Sequence, residues 1–76
     1  MITVKLYGLL RIDFGIRECR ISARNIDDIL QHLTALGIPK DRLRGSLILV
    51  NGKPAGRRCS LQDGDEVQLM PPVAGG

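Results

Sequence analysis

A single segment of the sequence carries a convincing helical pattern, and this constrains the fold more than any other feature. Its apolar residues recur on one stripe at Ile26, Ile29, Leu30, Leu33 and Leu36. Asn25, a favoured N-cap residue, precedes the stripe, and Gly37 followed by Pro39 ends it. A chain of 76 residues is too short for two separate cores. We therefore expect this one helix to pack against one sheet.

The remaining apolar segments have the patterns of strands. Period-2 alternation predicts half-buried strands over residues 2–7, 17–22 and 66–70. The uninterrupted apolar run over residues 47–50 predicts a central strand covered on both sides. Asn51-Gly52 favours a tight hairpin, which leads back into a short edge strand at Pro54.

Together these elements predict an α+β fold. Gly8 and Asp13-Phe14-Gly15 are expected to form the turn between two antiparallel strands, and residues 40–46 a link without regular structure. The order β-β-α-β-β-β, with the first and last strands adjacent in the centre, is the β-grasp arrangement. It has a mixed sheet of four to five strands and one main helix on one face. Residues 1–72 are predicted to form this domain, and residues 73–76 a flexible tail.

Charge and composition argue against several classes of function. The net charge is +3, but the basic residues are scattered and the aromatic platforms of single-strand binders are missing, so we expect no nucleic-acid partner. No apolar run approaches the length of a membrane span, and the N-terminus does not resemble a signal peptide. We therefore expect a cytoplasmic domain with no membrane partner, in which Cys19 and Cys59 are reduced thiols.

The sequence also lacks the groups of an enzyme that acts alone. His32 is the only histidine, no nucleophile has a plausible base, and no zinc-ligand spacing is present. A domain this small is expected to lack room for the pocket of roughly 300–1,000 Å³ that usual ligand sites require. We predict neither catalysis by this chain nor a metal site.

The C-terminal residues are the remaining anomaly. Pro71-Pro72 is expected to project the chain away from the sheet, and the sequence then finishes with Gly75-Gly76. Ordinary fraying is the simpler explanation. However, glycine has no Cβ, so such an end is thin enough to thread a narrow tunnel and reach a buried reaction centre. The functional group would be the α-carboxylate of Gly76, which sulfide or an amine can attack only after its activation as an acyl-adenylate.

These residues resemble a known family. The ending Asp63-Gly64-Asp65-Glu66-Val67, a short strand and then Pro71-Pro72-Val73-Ala74-Gly75-Gly76 is similar to that of the small, sulfur-carrying subunit of molybdopterin synthase. The sulfur carrier of thiamine biosynthesis and, more distantly, ubiquitin are wider relatives. Arg11 with Gly15, and Val50-Asn51-Gly52 in the predicted hairpin, also match the family.

The resemblance implies a carrier whose chemistry lies at its terminus. A ubiquitin-activating-like enzyme would use ATP to adenylate Gly76, and a sulfur donor would convert the adenylate into a thiocarboxylate. The tail of Val73, Ala74 and Gly75 would insert into the large synthase subunit, where the sulfur passes to a pterin precursor. The chain would thus serve molybdenum cofactor biosynthesis as a carrier subunit that binds no cofactor itself.

A docking face follows from the alternation of the strands. Because Ile2, Val4 and Leu6 are needed under the helix, parity puts Tyr7 and Met70 on the opposite, exposed side of two central strands. Pro54, near the turn of the hairpin, could join them. Large apolar groups on a solvent face mark partner sites, and Tyr and Met are enriched in interfaces. We predict a partner-binding set of Tyr7, Met70, Pro54 and Arg11.

Other functions compete with this hypothesis. The sulfur could serve thiamine synthesis or another pathway. The activated carboxyl of Gly76 could instead be joined to lysines of other proteins, as in a ubiquitin-like modifier. Finally, the chain could be a plain binding module for which the tail is irrelevant.

Overall fold

The computed structural model describes residues 1–71, which form one mixed sheet and three helices. The elements are β1 (Ile2–Leu6), α1 (Gly8–Phe14), β2 (Glu18–Ile21), α2 (Ile26–Ala35), α3 (Lys40–Leu43), β3 (Leu47–Val50), β4 (Lys53–Pro54) and β5 (Glu66–Met70). The strand order is β2-β1-β5-β3-β4, with β1 and β5 parallel and the other neighbours antiparallel. The predicted β-grasp arrangement is therefore confirmed, with the first and last strands side by side in the centre.

Helix α2 forms where the apolar stripe predicted it. The Asn25 side chain accepts a hydrogen bond from the backbone N–H of Asp28 at 2.9 Å and caps the helix. The stripe buries Ile26, Ile29 and Leu33. Beyond the helix, Gly37 adopts a φ of 111°, which only glycine accepts readily, and turns the chain away.

The two central strands provide the sheet side of the core. Their buried side chains are Ile2, Val4, Leu6, Val67 and Leu69. In the parallel register Val4 is opposite Val67 and Leu6 is opposite Leu69, so the apolar side chains form adjacent rows beneath the helices. Among residues 1–71 no polar or charged residue is buried, so the core is held by apolar contacts.

Helices α1 and α3 were not predicted. Residues 8–14 were expected to belong to a turn and residues 40–46 to a link, whereas each segment contains a short helix. Each helix buries one leucine, Leu10 in α1 and Leu43 in α3. Helices this short are not stable alone, so tertiary packing rather than local propensity maintains them. No helix within residues 1–71 is long and apolar enough to cross a membrane.

The third strand is central but is covered on one side only, contrary to the prediction. Ile48 faces the core, whereas Leu47 is 50% exposed on the other side of the sheet. The reason is that the described helices all lie on one face of the sheet. The hairpin that follows agrees with the prediction, since Asn51 and Gly52 both have positive φ values and β4 is a two-residue edge strand at Pro54.

Candidate functional site

The residues with predicted terminal chemistry lie beyond the described part of the chain. Val73, Ala74, Gly75 and Gly76 fall outside residues 1–71, as does the predicted domain boundary at residue 72. The structure does describe the point from which this segment starts, at Pro71 after β5. Within residues 1–71 the candidate site therefore comprises the end of β5 and the surfaces around it.

The end of β5 is held by the end of β1. The backbone N–H of Tyr7 donates a hydrogen bond to the carbonyl of Leu69 at 3.1 Å, which continues the parallel ladder by one more bond. Gly8 follows with a φ of +59°. A Cβ placed on Gly8 would lie only 3.0 Å from Cγ of Pro71, which is closer than ordinary van der Waals contact. The proline ring thus occupies the space that a side chain at position 8 would need.

The open face of the sheet, defined as the side opposite the helices, has an apolar half. Met70 of β5 pairs with Leu47 of β3, and Leu49 pairs with Pro54 of β4. Residues directly opposite each other in antiparallel strands project from the same side of the sheet. Met70, Leu47, Leu49 and Pro54 therefore form one apolar area beside the start of the C-terminal segment.

The other half of the open face is polar. The Lys5 ammonium pairs with the Glu66 carboxylate at 3.1 Å, and the Gln68 side-chain amide donates to the Tyr7 hydroxyl at 3.1 Å. The hydrogen bond from Lys5 to Glu66, with the charge of that carboxylate, raises the pKa of Lys5 above its ordinary value. These contacts fix the side chains that border the apolar half.

The predicted docking residues lie where parity placed them, with one difference. Tyr7 and Met70 are on the open face, as the contact of Tyr7 with Gln68 and the pairing of Met70 with Leu47 show, but each is half-buried. Pro54 is exposed and shares this face. Their role in partner binding stays a prediction. Leu47 was missed, although the antiparallel pairing of β3 with β5 would have indicated it.

Arg11 borders the Tyr7 end of the open face. It lies on α1, is exposed, and lines a surface depression of about 710 Å³ together with Lys5, Tyr7 and Arg17. A second depression of about 540 Å³ lies between α2, α3 and residues 55–57, which follow β4, and has a basic rim of Lys40, Arg44 and Arg57. The expectation that so small a domain lacks room for such spaces was wrong, because the gaps between short helices and the sheet remain open at the surface.

The potential metal ligands and the two cysteines were also located in the structure. Within residues 1–71 no group of three or more His, Cys, Asp or Glu side chains could hold a metal ion. Cys19 and Cys59 are free, half-buried thiols packed against the core. Burial, and secondly the charge of Glu18, raises the pKa of the Cys19 thiol, so the reactive thiolate is disfavoured.

Comparison with known proteins gives consistent relatives. The family model described as the ThiS family matches residues 14–76. The solution structure of small archaeal modifier protein 1 from Methanosarcina acetivorans is 32% identical, with a TM-score of 0.78 over 99% of this chain and 95% of that chain. The corresponding crystal structure from Haloferax volcanii is 26% identical, with a TM-score of 0.81 over 99% and 98%.

A third relative is part of a two-protein complex. In the complex of subunits 1 and 2 of molybdopterin-converting factor from Helicobacter pylori, the matching chain is 25% identical, with a TM-score of 0.74 over 99% of this chain and 97% of that chain. No curated protein matches the sequence. The family model covers most of the chain, and the three reported structures each align with 99% of it, so sequence and structure agree. The chain belongs to the ThiS family of small, ubiquitin-like sulfur-carrier and modifier proteins.

Proposed function

We propose that this chain carries sulfur as a thiocarboxylate on Gly76 and delivers it in molybdopterin biosynthesis. The observation that carries the proposal is the family match, which extends through Gly75-Gly76 to residue 76. The fold supports it, because β5 ends at Met70 and the next residue, Pro71, lies against Gly8, only five positions before Gly76.

The chemistry requires two steps at one carbon atom. The Gly76 carboxylate attacks the α-phosphorus of ATP, so that pyrophosphate leaves and an acyl-adenylate forms. A donor that supplies sulfur at the oxidation level of sulfide then attacks the carbonyl carbon and expels AMP, and the thiocarboxylate remains. We assign ATP to a ubiquitin-activating-like partner enzyme, since the proposal requires no cofactor on this chain. We also assign the reaction to the cytoplasm, where thiols such as Cys19 and Cys59 stay reduced.

The choice of acceptor rests on a relative. The molybdopterin-converting factor of Helicobacter pylori pairs a chain of this fold with a second subunit, and we propose an equivalent large subunit as the partner that receives the tail. Val73, Ala74 and Gly75 would thread into that subunit. The apolar half of the open face, beside the start of the tail, would pack against the subunit's surface.

A second candidate function, modification of other proteins, is supported by the relative with 32% identity, which is named a small archaeal modifier protein. In that case a lysine amine attacks the carbonyl carbon of the Gly76 acyl-adenylate and expels AMP, so that an amide bond forms instead of a thiocarboxylate. The two functions share the activation step and differ only in the acceptor. Conjugates of this chain on other proteins, sought by peptide mass spectrometry in cell extract, would distinguish them.

The decisive experiment measures the terminus directly. The chain is incubated with ATP, a candidate activating enzyme and a sulfide-level donor, and its intact mass is recorded. We expect pyrophosphate release followed by the mass increase of sulfur replacing oxygen at Gly76. A chain lacking Gly75-Gly76 serves as the control and should show neither. If no candidate enzyme releases pyrophosphate with the wild-type chain, the proposed function is overturned.

Two variants test whether the C-terminus must be thin and of a fixed length for sulfur transfer. Gly75→Val adds a β-branched side chain where a tunnel needs a thin backbone. One alanine appended after Gly76 moves the reacting carbon by about 3.3–3.6 Å when extended. Because a misplacement of ~1 Å can cost roughly a hundredfold in rate, both variants should remain folded and lose transfer. Transfer at the wild-type rate by either variant would contradict a threaded terminus.

A further inference from the structure

Helix α1 presents an unusual outward side. Leu10 and Phe14, four positions apart, pack in or against the core, whereas Leu9 and Ile12, three positions apart, share the outward side. Leu9 is 54% exposed and Ile12 is 68% exposed, which makes Ile12 the most exposed large hydrophobic side chain within residues 1–71. Single exposed aliphatic residues are common on protein surfaces, so their exposure alone decides nothing.

Contacts at the C-terminal end of α1 hold the helix that carries these two side chains against the rest of the fold. The Arg42 guanidinium of α3 donates a hydrogen bond to the Asp13 carboxylate at 2.6 Å and lies over the Phe14 ring at 5.1 Å. The Gly15 backbone N–H donates to the Arg11 carbonyl at 2.9 Å and closes the end of the helix. A partner would therefore meet a preorganised surface rather than a loop that must first be ordered.

The position of the helix connects it with the C-terminal segment. Pro71, the last described residue, lies against Gly8, the first residue of α1. Leu9 follows Gly8 directly in the chain, and Ile12 lies one helical turn further along α1. The end of the described chain is therefore close to the N-terminal end of the helix that exposes these two side chains.

The length of the remaining chain limits where a partner can bind. The five residues after Pro71 can span at most about 18 Å when extended, and α1 is about 10 Å long. A protein that encloses the Gly76 carboxyl must therefore approach the surface around Pro71. Its contact surface must also extend several ångström around the tail to exclude water.

We propose that Leu9 and Ile12 form a docking surface, the α1 patch, for the enzyme that adenylates Gly76. The proposal rests on the proposed function. The patch fits an apolar surface of that enzyme with a carboxylate near its edge, because Arg11 is an exposed cation on the same short helix. The α1 patch lies on a helix and is distinct from the predicted docking residues on the sheet.

The test compares the Leu9→Gln/Ile12→Gln double variant with a Leu36→Gln control. Leu36 is an exposed leucine of comparable accessibility, 52%, at the end of α2. Glutamine keeps helix propensity and removes the apolar surface. The probe is the activating enzyme identified by pyrophosphate release, and the measurement is its Kd for each chain by calorimetry. We expect about tenfold weaker binding for the double variant, as for loss of a typical interface anchor, and unchanged binding for the control.

Three results would overturn the α1 patch while the proposed function stands. These are wild-type affinity of the double variant, equal weakening by the Leu36→Gln control, and a wild-type dimer in sedimentation that the double variant lacks. The last would mean that a second copy covers the patch. If no enzyme activates Gly76 of the wild-type chain, the proposed function fails, and the α1 patch fails with it. Thermal unfolding of all variants checks that the fold is retained.

Discussion

The two faces of strands β1 and β5 differ in burial and in polarity. On the core face Ile2, Val4, Leu6, Val67 and Leu69 are buried under the helices. On the open face of the same strands, Lys5, Glu66 and Gln68 form polar contacts, and Met70 borders Leu47. Neighbouring residues in one strand therefore have different roles. This difference predicts that substitutions one residue apart affect either stability or recognition.

The strongest test of the comparison uses two adjacent residues. Leu69→Ala removes a buried side chain and should lower the free energy of unfolding by about 2–5 kcal/mol, which is a large part of the stability of a small domain. Met70→Ala on the open face should lower it by about 1 kcal/mol or less. Urea denaturation followed by circular dichroism measures both. Equal losses would mean that the two faces do not differ in this way.

The converse test measures partner affinity. Tyr7→Ala and Met70→Ala should each weaken binding of the tail-receiving partner by about 1–2 kcal/mol, because large half-buried side chains at an interface centre act as anchors. The matched control is Thr3→Ala, in the polar half of the open face, and it should leave the affinity unchanged. Calorimetric titration gives the three values. Wild-type affinity in both the Tyr7 and Met70 variants would remove the predicted docking face.

Substitutions of two glycines test the contact between Gly8 and Pro71, which follow the ends of β1 and β5. Gly8→Ala and Gly15→Ala both place a side chain at a positive φ, but only the first brings a Cβ against Pro71. We expect Gly8→Ala to cost ~1 kcal/mol more in unfolding free energy, at the low end for overpacking because a surface ring can shift.

A second substitution identifies the cause of this difference. Pro71→Ala removes the Cγ atom that the new Cβ would meet, so it should abolish most of the extra cost in a double-mutant cycle. An extra cost that persists in the Pro71→Ala background would show that the contact is not responsible. We also expect the Gly8→Ala variant to transfer sulfur more slowly than the Gly15→Ala variant. The reason is that the new Cβ displaces Pro71, from which the tail starts.

The smallest effect concerns Asp65, which precedes β5 and belongs to neither face. Its carboxylate accepts hydrogen bonds from the Gln62 backbone N–H at 2.8 Å and from the Asn51 amide at 3.0 Å, which lower the pKa of Asp65 below its ordinary value. Because the folded-state pKa is the lower one, this group stabilises the fold above the ordinary Asp range. That contribution is lost as the pH falls through the depressed pKa.

Asn51→Gly tests this contribution without straining the hairpin. Glycine tolerates the φ of 52° at this position and removes only the side-chain hydrogen bonds. The pKa of Asp65 should rise part of the way to its ordinary value, because the bond from Gln62 remains. The loss of stability that Asp65 causes on acidification should accordingly become smaller, because its folded-state and unfolded-state pKa values move closer together. A carboxyl titration followed by NMR measures the change, and an unaltered pKa would contradict the assigned role of Asn51.

Much of this fold could be predicted from local patterns. The alternation of β1 and β5, the stripe and cap of α2, and the Asn51-Gly52 hairpin each depend on residues that lie close together in the chain. Their periodicity also assigns each side chain to a face, so Tyr7 and Met70 could be placed on the open face before the structure was known. Gly75-Gly76 likewise indicated the family, because that resemblance depends on consecutive residues.

Only the tertiary structure decided the remaining features, since they depend on residues distant in sequence. Helices α1 and α3 are too short to be stable alone and exist because Leu10 and Leu43 reach a core built by other elements. Leu47 is exposed because no helix of residues 1–71 covers that face, which its apolar neighbours in the chain could not reveal. The contact of Pro71 with Gly8 joins two positions that only the parallel pairing of the first and last strands brings together.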